Sequence, residues 1–141
     1  MATNVRAEVS RKNPYYISKH RYYELKHFCL QYSEWKKFAS LILKDSAPSS
    51  LINKERVKSS QVSDPAGVYG VLLSIYSKNM DLIERCAYEA DRDLKNYIFL
   101  AVTEERSYTY LKSRLDMPCG KDMFYDRYRK FFYLLSKSKT Y

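Results

Sequence analysis

Between Ser18 and about Leu43, apolar or aromatic side chains recur at Tyr22, Leu25, Phe28, Cys29, Tyr32, Trp35, Phe38, Ala39 and Ile42. Steps of three and four place them on one side of a helix, so the spacing predicts a first long amphipathic helix. The pattern then stops. Residues 45–64 are rich in serine, contain Pro48 and show no sustained period, which reads as a linker. Asp64 followed by Pro65 marks a restart. An aspartate side chain can accept from the unpaired N–H groups of a first helical turn, and proline at the first position forfeits no hydrogen bond. From there to about Ala90, Val68, Leu72, Ile75, Asn79, Leu82 and Cys86 alternate at four and three. They predict a second long helix of roughly 39 Å. Asn79 is the polar member of that seam. A polar residue in such a place can set the register of a helix pair, so two readings stand: simple core packing, or a homodimer through the 65–90 helix.

After a break, Asp91 or Asp93 can cap a third, shorter helix carrying Leu94, Tyr97, Ile98 and Ala101 on its inner side. Ser107 can cap a fourth, with Tyr108, Leu111 and Leu115 inward. The sequence "DMPCG" then interrupts, and Pro118 suits the opening turn of a last helix. On that helix Phe124, Tyr128, Phe131 and Leu135 fall at i, i+4, i+7 and i+11, a single core-facing stripe. At 100° per residue, Asp122, Asp126, Arg129, Lys130 and Tyr133 point away from it, with Lys121 and Tyr125 on the flank. The expected fold is therefore all-α: two long helices followed by a C-terminal three-helix unit containing a helix-turn-helix. The expected organisation is a basic, tyrosine-rich helical segment over 1–44, a linker over 45–64, a central helix over 65–90, and the helix-turn-helix-like unit over 91–141.

Composition supports one core. A chain of 141 residues with 45% hydrophobic content can bury a core of its own, while three glycines and four prolines are too few for a turn-rich β architecture. Cys29, Cys86 and Cys119 are odd in number and widely spaced, which reads as reduced thiols in a cytoplasm. No apolar run reaches the roughly 18 residues of a membrane span, and no apolar stretch follows the N-terminal charges, so no membrane partner is expected. The net charge of +9 is concentrated at both ends. Residues 1–58 hold 12 Lys/Arg against 5 Asp/Glu and residues 106–141 hold 9 against 3, whereas residues 59–105 hold 4 against 8. That distribution favours a polyanionic partner such as nucleic acid.

Catalytic chemistry is not expected. His20 and His27 lie seven residues apart, roughly 10 Å along a helix axis, and cannot share one metal ion directly. Cys29 stands two residues from His27, which turns the two side chains to different sides of a helix. With only Gly67, Gly70 and Gly120 the chain has no glycine-rich phosphate loop. Carboxylates at 89, 91 and 93 lack the spacing and glycine of a calcium loop and read as helix capping. Neither cofactor, metal nor catalytic residue is expected. The fifteen tyrosines include doublets at Tyr15–Tyr16 and Tyr22–Tyr23 beside Lys19, His20 and Arg21. These could stack on bases or fill the half-buried rims of a small helical bundle.

A short helix, a tight break and a longer helix with a polar outer face is the pattern of a helix-turn-helix, whose second helix enters the major groove of DNA. The stretch "AVTEERSYTYLKSRLDMPCGKDMFYDRYRKFFYLL" resembles the promoter-reading C-terminal segment of sigma factors. More closely, it is similar to prophage-borne proteins of Gram-positive bacteria related to the ArpU and RinA late-gene transcription regulators. The resemblance covers about residues 90–137 and implies a transcription regulator that binds double-stranded DNA. On this reading residues 120–137 enter the groove and 107–115 support them. Lys112, Arg114, Lys121 and Arg129 contact phosphates or guanine edges, Tyr125 assists, and Asp122 or Asp126 selects a base through the cytosine amino group. Host RNA polymerase is a further candidate partner. The alternative expectation is a small phage protein that binds and inhibits a host or defence protein that handles nucleic acid.

Overall fold

The computed structural model describes residues 12–44 and 65–139. The linker expected over 45–64, with the Asp64 cap, lies outside them. The described residues form six helices and no strand: α1 Lys19–Leu30, α2 Tyr32–Lys44, α3 Pro65–Ala90, α4 Lys95–Glu104, α5 Tyr108–Leu115 and α6 Lys121–Ser138. The fold is all-α. The first long helix is interrupted at Gln31, whose N–H reaches back to the carbonyls of Phe28 and Cys29. Ser18 caps α1 by accepting from the Arg21 N–H at 3.3 Å, and Ser107 caps α5 by accepting from the Tyr110 N–H at 3.1 Å. Two helices stop at left-handed residues, Glu105 after α4 and Asp116 after α5, with φ of 55° and 56°.

The chain divides into two compact units, one from the residues up to Tyr32 together with Asp81 onward, the other Ser33–Met80. In the smaller unit α2 meets α3 through aromatic rings. Trp35 stacks on Tyr76 with centroids 6.0 Å apart, and Phe38 meets Tyr76 and Tyr69 edge-on at 5.3 and 6.2 Å. In this unit α3 thus meets α2 through Tyr69 and Tyr76, each one residue on from a member of the seam expected at Val68, Leu72, Ile75 and Asn79. Val68 and Ile75 are exposed and Leu72 and Asn79 half-buried. Further along α3, Leu82 is half-buried while Ile83, Cys86, Ala87 and Ala90 are buried.

The larger unit holds the main core. Tyr22, Leu25, Phe28 and Cys29 of α1, Ile98, Ala101 and Val102 of α4, and Phe124, Tyr128, Phe131, Phe132 and Leu135 of α6 are all buried. The α6 stripe is the expected one with Phe132 added. Its rings pack edge-on, Phe131 against Phe132 at 5.0 Å and Tyr22 against Phe132 at 5.1 Å, a geometry that aligns ring edges with π faces. The hydroxyls of Tyr22 and Tyr128 meet at 2.9 Å inside this core. Two expectations fail here. Leu115 is exposed, because Asp116 swings the chain out of the helical path directly after it. Pro118 precedes α6 instead of opening it, since Gly120 is the N-cap.

The core is closed by a buried cation. Arg21, only 8% exposed, lies among the polar neighbours of the tyrosine doublets but is no free binder of bases. Its Nε donates to Ser136 Oγ at 3.1 Å. Its Nη2 donates to the carbonyls of Ser136 at 3.1 Å and Lys139 at 2.6 Å, and its Nη1 to Glu24 Oε1 at 2.9 Å. The C-terminus of α6 thereby gains donors for carbonyls that have no partner within the helix, and a positive charge at the negative end of its dipole. Arg21→Met should lower the unfolding free energy by about 3 kcal/mol, the scale of losing hydrogen bonds to a charged group. Arg21→Lys should recover only part of it, because an ammonium cannot serve those carbonyls as a planar fork. Urea denaturation checks both, and an unchanged midpoint in the methionine variant would refute the clamp.

All three cysteines are free and buried. Burial pushes the Cys29 thiol well above its ordinary range, with the neighbouring Cys86 adding to the effect. Cys86 is pushed by burial from 9.0 up to about 11, the Ser138 hydroxyl partly offsetting the shift. A pKa raised by folding means that the folded state resists deprotonation. The corresponding stability is complete below pH 9.0 and lost as pH rises through about 11. Thermal melts should therefore show a falling midpoint across that window, and Cys86→Ala should have a shallower fall over the same pH range.

Candidate nucleic-acid interface

Residues 116–120 join α5 to α6, and the joint is tied from both sides. The Asp116 and Met117 N–H groups both reach the Leu111 carbonyl, the latter at 3.1 Å. Met117 and Cys119 turn their side chains into the core. From α5, the Lys112 ammonium donates to the carbonyls of Met117 at 3.1 Å and Cys119 at 3.2 Å. One cation thus bonds two carbonyls of the turn and ties α5 to the approach of α6.

The residues expected to read DNA fall into two groups. Arg114, Lys121 and Asp122 are exposed around the turn, with Lys121 Nζ 6.0 Å from the ring of Tyr125. Tyr125 is half-buried against Tyr108 at 6.1 Å, and burial, then the neighbouring Tyr108, raises its pKa. The other group is engaged within the fold. Lys112, also exposed, donates its ammonium to the turn. Asp126 pairs with Arg127, whose Nε donates to Asp91 Oδ2 at 2.9 Å. Arg129 is half-buried, and its Nε is secluded from solvent without an acceptor among the described residues. Asp91 also accepts from the Asp93 and Leu94 N–H groups at 2.9 and 3.1 Å, so one carboxylate shapes the entry to α4 and anchors α6.

Further cations stand over tyrosine rings. Arg106 lies 4.5 Å from the ring centre of Tyr110 and Lys137 5.2 Å from that of Tyr133. Arg92 and Lys95 flank exposed Tyr88 at 5.6 and 5.3 Å, and Arg92 Nε donates to its hydroxyl at 3.0 Å. Sequence spacing could have found two of them: Lys121 with Tyr125 and Tyr133 with Lys137 are four residues apart on α6, neighbours on a helix surface, whereas Tyr88 with Arg92 and Arg106 with Tyr110 have the same spacing across a helix end. A cation resting on a ring loses less freedom when it meets a phosphate than one free in solvent. Among the described residues no group of three His, Cys, Asp or Glu could hold a metal ion, and no helix is long and apolar enough to cross a membrane. Compared with known proteins, this chain matches no family model, no curated protein and no solved structure.

Proposed function

We propose that this protein binds double-stranded DNA through α5, the 116–120 turn and α6, as a transcription regulator of the prophage type that its C-terminal sequence resembles. The observation that carries the reading is the joint itself. The Lys112 ammonium bonds two of its carbonyls, and Arg114 and Lys121 are exposed on either side of it. The first turn of α6 enters the major groove. Lys121 and Arg114 meet phosphates, and Asp122 accepts from a cytosine amino group. Lys112 acts as a positioning residue.

These roles separate in a salt titration. Lys121→Ala and Arg114→Ala should each reduce the magnitude of the log-log salt slope by roughly 0.9. Lys112→Met should weaken binding without that change of slope, because it disturbs the turn and removes no phosphate contact. Double-stranded oligonucleotides selected from a random pool provide the probe. Unchanged affinity and slope in a folded Lys121→Ala, Arg114→Ala double variant would reduce the motif to architecture.

A second reading, inhibition of a host or defence protein that handles nucleic acid, draws support from Leu115 and Met123, apolar side chains exposed beside the same turn. Affinity capture from a bacterial lysate with and without nuclease separates the two. A partner retained after nuclease favours inhibition, and one lost with nuclease favours DNA.

A further inference from the structure

Within the Ser33–Met80 unit, α3 carries two apolar stripes, and among the described residues the rings of α2 meet one of them, while the other has two exposed members and two half-buried ones, Leu72 and Asn79. Tyr69 and Tyr76 face the aromatic rings of α2. The other stripe, Val68, Leu72, Ile75 and Asn79 at steps of four, three and four, is turned roughly 100° away. Val68 and Ile75 are 52% and 47% exposed, and Val71 beside them 60%. Valine and isoleucine at three neighbouring sites on one helix face are more than scattered surface hydrophobes.

We infer that this stripe is the interface of a parallel homodimer, in which α3 pairs with α3 of a second copy and Asn79 meets Asn79 of that copy. Charge selects the occupant. In a chain of net charge +9, two copies repel each other wherever their basic surfaces meet, yet residues 65–77 contain no Asp, Glu, Lys, Arg or His. Among the described residues, Lys78 at its edge is the one cation a polyanion or an acidic protein would find beside this stripe. The alternation of four and three is that of a two-stranded coiled coil, with Leu72 and Asn79 in one class of position and Val68 and Ile75 in the other. Asn79 favours a copy of itself, because an amide both donates and accepts and so satisfies an identical amide across a two-fold axis. A purely apolar partner would leave that amide unpaired. The pairing is independent of the DNA reading and stands or falls without it.

Sedimentation of the full chain tests the inference. The wild type should have twice the monomer mass, and Ile75→Glu should halve it while leaving the helical circular dichroism unchanged. A second variant does not depend on that folding: Ile75→Cys treated with a short bis-maleimide should give a covalent dimer, since parallel pairing places the two introduced thiols side by side. Cys29, Cys86 and Cys119 are buried and should contribute little to the product. A wild-type monomer across the accessible concentration range would overturn the inference. A dimer that persists in Ile75→Glu, or one in which Ile75→Cys fails to cross-link, would assign the interface to another surface.

Discussion

A guanidinium taken out of water is costly unless nearly all of its donors find acceptors, and Arg21 meets that condition by drawing α1 and the end of α6 together. The requirement works in both directions. Without α6, Arg21 would lose its acceptors on Ser136 and Lys139; without Arg21, those carbonyls would lose their donor at the rim of the core. The aromatic stripe from Phe124 to Leu135 supplies most of the apolar burial, but burial is not directional. The fork of Arg21 fixes where along α1 that stripe comes to rest. The N-terminal half of α6, with exposed Lys121 at its start, is consequently presented from a helix held at its far end.

A second tether acts near the middle of α6, where Arg127 reaches Asp91. Asp91 meanwhile organises the backbone ahead of α4, so the positions of α4 and α6 are linked through one carboxylate. With the turn secured by Lys112, the helix is held at three heights. The proposed DNA-binding role would depend on such support, because a contact geometry loose by an ångström loses most of its selectivity.

Much of this was legible in the sequence. Period and capping residues located the helices to within a few positions, and the Phe124–Tyr128–Phe131–Leu135 stripe is buried as its spacing required. The displaced seam of α3 has a physical cause: tyrosine is amphipathic, so Tyr69 and Tyr76 count weakly in an apolar pattern although their rings pack on α2. Two stripes satisfied the helical period, and only the partner's position decided between them. Leu115 was misplaced because a left-handed residue after it breaks the period. At the candidate interface, exposed Arg114, Lys121 and Asp122 follow from helix angle. The engagement of Lys112 depends on carbonyls that only the folded turn brings together. That of Asp126 depends on Arg127, whose partner Asp91 lies 36 residues away.

The hydroxyl pair of Tyr22 and Tyr128 has an evolutionary consequence. Either oxygen can supply the proton, so the contact is symmetric and tolerates inversion. It does not tolerate half-removal: phenylalanine at one position takes a hydrogen bond from a buried hydroxyl at the other, whereas phenylalanine at both leaves rings of nearly the same shape and no hydroxyl pair to satisfy. The two sequences at either end of that path are both acceptable and each intermediate is penalised. Across descendants of this chain, positions 22 and 128 should therefore change identity together, a correlation written by one hydrogen bond between residues 106 apart.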